Sequence, residues 1–227
     1  MKTGGPLHIL VIDIGGSTLK VRASSAPEMR VVPSGPAMTP ENMVGKVKAL
    51  AADWPFDVVS IGYPGEVRGG RPAREPHNLG PGWVDYDFRA AFGRPVRVLN
   101  DAAMQAIGSY ETGRMLFLGL GTGLGSALVV YGTVHGLELS GLPYKEGGTF
   151  GDFLAQRGLE RLGIAKWREE VERVVTLLRN AMVADHVVLG GGNVRHLERL
   201  PPFTRPGRNA NAIEGGFRLW RDPDVRA

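Results

Sequence analysis

Apolar residues form strand-like runs at two places along the chain. Residues 7–14 (LHILVIDI) are almost continuously apolar, as in a strand buried on both faces. Residues 17–24 then alternate between apolar and polar side chains, which predicts a second strand and makes the glycines between them a hairpin turn. The same order returns about 100 residues later, with apolar runs at 115–120 and 124–132 on either side of GTG. This repetition predicts two similar subdomains that face each other across a cleft.

The remaining pattern predicts an α/β fold. Helices are expected at 41–53, 85–92, 101–112, 165–183 and 210–221. Further strands are expected at 57–62, 96–99 and 186–190. Two segments rich in glycine and proline, 68–84 and 201–209, are predicted loops. Strands and helices that alternate in this way are typical of α/β proteins.

Composition narrows the class of protein. The chain has 227 residues, of which 43% are apolar and 22% charged, which suits one large domain or two small ones that share a cleft. No window approaches the ~18 uninterrupted apolar residues that a membrane helix needs. The absence of cysteine excludes disulfides and thiolate metal sites and favours a cytoplasmic protein. The net charge of +4 is compatible with a polyanionic ligand but does not require one.

Three glycine clusters are candidate phosphate sites: DIGGS (13–17), GLGTGLGS (119–126) and GGGN (190–193). Each could be an ordinary tight turn, or its backbone amides could cradle phosphate oxygens. The sequence contains neither the P-loop pattern nor the dinucleotide-binding fingerprint. The first two clusters lie between strands and carry the hydroxyls of Ser17 and Thr122, whereas the third leads from a strand into a predicted helix, whose N-terminus would favour an anion.

Three polar side chains near strand ends are candidates for chemistry. Asp13 ends an apolar strand, so its carboxylate needs a partner; it either bonds local amides of the turn or holds Mg²⁺ through water. Asn100 and Asp101 stand where a strand hands over to a helix. The pair is either a helix cap or a site that holds a hydroxyl group and takes its proton.

Seven motifs together resemble one family. VIDIGGSTLK, GYPGEV, HNLGPGW, VLNDAAMQA, LGLGTGLGSALV, ELSG and VVLGGGN occur in the order found in ROK-family sugar kinases, and most resemble the polyphosphate glucokinase branch. The match runs from about residue 7 to residue 193, and the ending RNANAIEGGFRLW is similar to the last helix of that branch.

The resemblance implies a ribonuclease H-like, actin-type fold of two α/β domains with a cleft between them. The first domain would span residues 1–99 and the second 100–209, with the last helix, 210–222, packing back on the first. The resemblance also implies a homodimer.

The resemblance further implies a site for a hexose and a phosphoryl donor, either inorganic polyphosphate or a nucleoside triphosphate such as ATP. The hexose would contact Gly65, Asn78, Asn100, Asp101 and Glu138. The donor would contact the glycine turns and their neighbours: Asp13, Gly15, Gly16, Ser17, Lys20, Gly121, Thr122, Gly123, Gly191 and Gly192. Lys20 lies on an alternating strand, so it either assists the donor or is solvated.

Two departures from the family pattern bear on function. Many ROK proteins carry a cysteine-rich zinc motif after an E-x-G-H sequence; this chain has no cysteine, so no zinc is expected, and the polyphosphate glucokinases lack the motif too. In addition, Ser140 and Gly141 stand where E-x-G-H has glycine and histidine. The missing imidazole leaves the identity of the sugar open.

The sequence therefore predicts a glucokinase-like enzyme. Asp101 would act as general base on the 6-hydroxyl of glucose or a related hexose, and its place at a helix N-terminus would keep its pKa low. Four arginines have two possible roles: they form a track that binds polyphosphate, or they are scattered surface charges. They are Arg22, Arg68, Arg71 and Arg74.

Two other function classes stay open. The first is a sugar-binding sensor with little turnover, which the altered E-x-G-H motif favours, and the second is a hydrolase or acyl kinase on the same fold. DNA binding is not expected, because only six residues precede the first strand and ROK repressors carry an N-terminal helix-turn-helix.

Overall fold

Two five-stranded sheets form the framework of the computed structural model, which describes residues 5–208 and 210–227. The strands are β1 (Ile9–Ile14), β2 (Thr18–Ala23), β3 (Arg30–Pro33), β4 (Val58–Tyr63), β5 (Val67–Arg68), β6 (Arg71–Pro72), β7 (Val96–Asn100), β8 (Arg114–Leu120), β9 (Leu124–Val130), β10 (Thr133–Leu137), β11 (His186–Gly190) and β12 (Thr204–Pro206). The helices are α1 (Pro40–Leu50), α2 (Phe88–Phe92), α3 (Asp101–Ser109), α4 (Phe150–Leu154), α5 (Gln156–Leu162), α6 (Ile164–Ala181) and α7 (Asn211–Arg221).

The two sheets have the same topology. The first has the order β3-β2-β1-β4-β7 and the second has the order β10-β9-β8-β11-β12. In each sheet an antiparallel hairpin is followed by strands parallel to its first strand, β1 with β4 and β8 with β11. The repeat predicted from the two strand–glycine–strand units is therefore confirmed as a repeated sheet.

The central strands are buried as their sequences predict. Every residue of β1 and β4 is buried, because helices or the other half of the chain cover both faces of the first sheet. In β2, buried Leu19, Val21 and Ala23 alternate with more exposed side chains, so this strand keeps one face toward the core.

Helices α3 and α7 pack closely against each other between the two sheets. Glycines make the approach possible: a Cβ on Gly108 would run into the carbonyl group of Asn211, and one on Gly215 into that of Met104. Met104 of α3 packs in the core of the first sheet, whereas Ile107, one turn later, packs in that of the second. Helix α3 is thus positioned by both halves of the molecule.

Helix α7 covers the first sheet. Ile213 and Phe217 pack with Ile9 and Val11 of β1, and the hydroxyl group of Ser60 in β4 donates to the carbonyl of Gly216 at 2.7 Å. The family resemblance predicts this helix at 210–222, packed on the first domain; the helix spans Asn211–Arg221 and packs on the first sheet. The domain limits themselves remain predictions, and residue 209, at the predicted end of the second domain, lies outside the described residues.

Several short elements differ from the sequence prediction. The predicted loop 68–84 contains part of the small β5–β6 hairpin, and the predicted loop 201–209 contains β12, which pairs with β11. The sequence pattern does not predict strands β3 and β10 either. These strands lie at sheet edges and are short, so the neighbouring strand rather than a local apolar period decides their conformation.

None of the helices in the part of the chain that the structure describes has both the length and the apolar character that a membrane span requires.

Candidate active site

The first glycine turn joins β1 to β2, as predicted. The amide of Gly15 donates to the carbonyl of Thr18 at 2.9 Å and closes the turn, while Ser17 is exposed at its tip. Gly16 lies close to Asn78: a Cβ on Gly16 would be 3.2 Å from the Asn78 Cβ. Any larger residue at position 16 would therefore press on the loop that carries Asn78, whereas glycine leaves room for it.

The second and third glycine clusters contact each other. Gly121 and Gly123 close the β8–β9 turn through a bond of 3.1 Å, which leaves Thr122 exposed at its tip. The side-chain amide of Asn193 donates to the carbonyl of Gly121 at 3.4 Å. Gly191 has φ +85°, and a Cβ there would collide with the carbonyl of Leu120.

The segment after the third cluster differs from the prediction. A single 3₁₀ turn, Gly192–His196, follows β11 instead of an α-helix. A turn this short has only a small dipole. The helix N-terminus that the sequence predicts as an anion site is therefore not present behind Gly191 and Gly192.

Asp13 is paired with Lys20. The Nζ of Lys20 lies 3.2 Å from Oδ2 of Asp13, whose residue is 8% exposed. The two residues are directly opposite each other in the β1–β2 ladder, so their side chains project to the same face of the sheet. Lys20 is thus held at the carboxylate beside the first glycine turn, with its side chain 33% exposed.

Asn100, not Asp101, caps helix α3. Its Oδ1 accepts from the amides of Ala102 at 2.9 Å and Ala103 at 3.2 Å, and its Nδ2 donates to the carbonyl of Gly65 at 3.0 Å. The cap function that the sequence allowed for the Asn–Asp pair therefore belongs to the asparagine. One N–H of the Asn100 amide remains available to a ligand.

Asp101 is the first residue of α3 and is half-buried between the two halves. Its Oδ1 accepts from the amide of Ala102 at 2.7 Å. Burial raises the pKa of Asp101 to about 7, and the negative charges of Asp13 and Glu138 add to the rise. The expectation of a low pKa at a helix N-terminus is wrong, because removing the carboxylate from water outweighs the bond to the helix amide.

The first turn of α3 brings the two hairpins together. On one side, the charge of Asp13 at the first glycine turn acts on Asp101. On the other side, a Cβ on Gly125, just beyond the second glycine turn, would be 2.9 Å from the Cβ of Ala102. The first turn of α3, which begins with Asp101, therefore lies at the junction of both glycine hairpins.

Glu138 follows β10 and faces a segment of the first half of the chain. Burial raises the pKa of Glu138, and the charge of Glu66 adds to the rise, whereas Arg74 and His77 lower it. Glu138, in the second half of the chain, therefore lies within electrostatic reach of residues 66–77. Sequence reasoning gave His77 no role, because its nearness to Glu138 depends on contacts between distant parts of the chain.

Three of the four arginines expected to form a polyphosphate track are engaged elsewhere. Arg68 and Arg74 both pair with Glu66, at 2.5 and 3.0 Å. Arg22 donates to the carbonyl of Ala26 at 3.4 Å. The four side chains therefore do not provide one row of free positive charges.

The carboxylates near the first turn suit a magnesium ion. Within residues 5–208 and 210–227 there is no group of three or more histidine, cysteine or acidic residues arranged to hold a metal. Mg²⁺ needs only one or two protein carboxylates when phosphate oxygens and water supply its other ligands. Lys20 binds Oδ2 of Asp13, which leaves Oδ1 as the oxygen that could face the water shell of such an ion.

Sequence comparison finds two kinds of relative, while no protein-family model matches the chain. The bifunctional enzyme NanE/NanK of Brucella melitensis is 33% identical over 138 residues, 55% of this chain, and the chain spans only 27% of that protein. Polyphosphate glucokinase of Mycobacterium tuberculosis is 25% identical over 222 residues, which cover 86% of this chain and 82% of that protein.

Solved structures share the fold over almost the whole chain. The inorganic polyphosphate/ATP-glucomannokinase of Arthrobacter sp. strain KM has a TM-score of 0.78 at 24% identity, over 93% of this chain and 97% of the other. A ROK family glucokinase of Streptomyces griseus, in complex with glucose and AMPPNP, has a TM-score of 0.70 at 15% identity, over 94% and 99%. The chain therefore has the fold of these sugar kinases, and it is similar in sequence to polyphosphate glucokinase over most of both chains.

One part of the site departs from the ROK motif pattern. Ser140 and Gly141, which replace the glycine and histidine of E-x-G-H, lie in a 3₁₀ turn (Leu139–Gly141) directly after Glu138. Ser140 packs against α4, where a Cβ on Gly151 would run into its hydroxyl group. The turn therefore presents no imidazole next to Glu138, and His77 is the histidine whose charge reaches that carboxylate.

Proposed function

We propose that the chain is a sugar kinase that transfers a phosphoryl group from inorganic polyphosphate or ATP to the 6-hydroxyl of glucose or a related hexose. The observation that carries the proposal is the desolvated carboxylate of Asp101 at the junction of two glycine hairpins. Sequence similarity to polyphosphate glucokinase over most of both chains supports it.

In this proposal Asp101 is the general base. A pKa of about 7 suits the task, because a base works best when its pKa lies near the working pH. Its Oδ1 already accepts from the amide of Ala102, which orients the carboxylate. Oδ2 has no hydrogen-bond partner among the described residues, so it is the atom that would take the proton of the attacking hydroxyl.

The acceptor sugar would be held by groups on both sides of Asp101. The free N–H of Asn100 would donate to one hydroxyl oxygen, and the carboxylate of Glu138 would accept from others. Gly65 and Asn78 belong to the loops that would enclose the ring, and the bond from Asn100 to the carbonyl of Gly65 fixes one of them. Phosphoryl transfer depends on holding the attacking oxygen in line and on neutralising charge on the phosphates.

The donor would lie on the two glycine turns. Their exposed tips, Ser17 and Thr122, offer hydroxyl and amide donors to phosphate oxygens, and Lys20 adds a positive charge. Asp13 would hold Mg²⁺ through water. When bound, this ion would neutralise charge on the phosphates of the donor. Gly191 and Gly192 would be next to a nucleotide if the donor is ATP.

A sugar-binding sensor is the second candidate function. The replacement of the E-x-G-H histidine by Gly141 favours it, because a site that lacks one sugar contact could bind without efficient turnover. The cytoplasmic location and the homodimer expected from the sequence also remain proposals.

A coupled assay tests the proposed function directly. A panel of hexoses is combined with polyphosphate, ATP or no donor, and formation of sugar phosphate is measured. The proposal predicts product that depends on both substrates. Phosphate release without sugar would instead indicate a hydrolase, and sugar binding without product would indicate the sensor.

A further inference from the structure

A large cavity separates the edges of the two sheets, on the side of β7 and β10. Its volume is about 1040 Å³, at the upper end of the range of small-molecule sites. The turn between β5 and β6, the start of α2 and residues 225–227 form its other walls. Asn100 and Gly136 also line it, whereas Asp13, Asp101 and both glycine turns are not among its walls.

The side chains of the cavity carry an excess of positive charge. Its walls include four arginines, Arg71, Arg89, Arg97 and Arg226, and a single acidic side chain, Asp87. Asp87 is already used as the cap of α2, since its Oδ1 accepts from the amide of Ala90 at 2.9 Å.

None of these four arginines has a salt-bridge partner in the described part of the chain. Glu66, a few residues before Arg71, is bound by Arg68 and Arg74. A concave surface lined by unpaired cations concentrates its positive potential and attracts anions.

One arginine is held in place before any ligand binds. The guanidinium of Arg97 lies over the ring of Trp220, 4.1 Å from its centroid, and also donates to the carbonyl of Leu219. Guanidinium groups match the oxygens of phosphate, and one that is already ordered loses little freedom when an anion binds.

We propose that this cavity binds a phosphorylated anion at a site that adjoins the proposed sugar site at Asn100 but does not include Asp101. The ligand is either a free stretch of an inorganic polyphosphate or a phosphorylated sugar, since both present the phosphate oxygens that a cluster of arginines recognises. The proposal does not depend on the proposed kinase activity, because it concerns binding alone.

Calorimetric titration of the whole chain tests the site, with inorganic tripolyphosphate and glucose 6-phosphate as separate probes. The variant is Arg89→Gln combined with Arg226→Gln, since both side chains are exposed and make no ion pair. Arg94→Gln is the matched control, because Arg94 is an exposed arginine near α2 that does not line the cavity. Circular dichroism and melting temperature confirm that all variants fold.

The expected result is binding of at least one probe by the wild type and the control. The double variant should lose about tenfold or more in affinity for that probe, the equivalent of one lost charge-assisted hydrogen bond. The probe whose binding falls identifies the source of the phosphate. A double Lys variant at the same two positions should recover part of the affinity. Wild-type affinity and stoichiometry of the double Gln variant for both probes, or no binding by the wild type, would overturn the proposal.

Discussion

Lys20 Nζ and Asp13 Oδ2 lie 3.2 Å apart across the β1–β2 hairpin, beside the first glycine turn. Their opposite places in the ladder fix this pairing, so it does not depend on a chance surface contact. In the proposed function the pair orients the donor: Lys20 balances the carboxylate and offers its remaining N–H groups to phosphate oxygens.

Replacing Lys20 with methionine should weaken binding of the donor more than binding of the sugar. The variant keeps an unbranched side chain of similar bulk but removes the charge beside the first turn. We expect KM for the donor to rise about tenfold, the effect of one lost charge-assisted hydrogen bond. KM for the sugar should change little. Initial-rate kinetics in both substrates measure the two effects, with Lys20→Arg as the charge-retaining control. Equal KM values for the donor in wild type and Lys20→Met would show that Lys20 pairs with Asp13 but does not assist the donor.

The activity should depend on pH through Asp101. A base must be ionised to accept a proton, and burial raises the pKa of Asp101 to about 7 in the free protein. We therefore expect kcat/KM for the sugar to fall about tenfold per pH unit below that value and to level off above it. A profile of kcat/KM that stays flat down to about pH 5 would contradict a raised pKa in the free enzyme.

The same carboxylate should lower stability at neutral and alkaline pH. The folded protein holds the proton of Asp101 more tightly than the unfolded chain, in which the pKa of an aspartate is ~3.9. The stabilisation that comes from binding this proton is therefore complete at low pH and is lost as pH rises through about 7. Asp101→Asn should raise the free energy of unfolding by ~1–3 kcal/mol at about pH 8 and much less at about pH 5. Urea denaturation at the two pH values measures this difference, and an identical effect at both would argue against the buried charge.

Asn100 should contribute to both folding and binding. Asn100→Ala removes the cap of α3 and should cost ~1 kcal/mol of stability, within the usual range for an N-cap. Asn100→Ser, which can still cap but cannot donate to Gly65 as the amide does, should recover most of the stability while sugar binding stays weak. Thermal unfolding and sugar titration of the two variants separate these effects. Wild-type sugar affinity in both variants would restrict Asn100 to its cap role.

The sequence predicts those parts of the fold that depend on local patterns. The apolar run of β1, the alternation of β2 and the glycines between them are sufficient for a hairpin, and its recurrence at β8 and β9 predicts the second sheet. Strands β10 and β12 are short edge strands, so the neighbouring strand determines them and no local period reveals them.

The candidate site could be predicted only as a set of residues. Motifs place Asp101 beside the glycine turns, but its pKa depends on burial between two halves and on the charges of Asp13 and Glu138, which are distant in sequence. The arginines show the same limit: nothing local indicates that Arg68 and Arg74 would both pair with Glu66, or that Arg71 would share a cavity with Arg226.

Sugar binding and turnover of Asp101→Asn test the central claim most directly. The substitution keeps the size of the side chain and removes its ability to take a proton. With the best acceptor and donor from the coupled assay, we predict that the variant binds the sugar with nearly wild-type affinity while kcat falls ~10²–10⁴-fold. Turnover of the sugar at the wild-type rate by this variant would contradict the assignment of Asp101 as the general base.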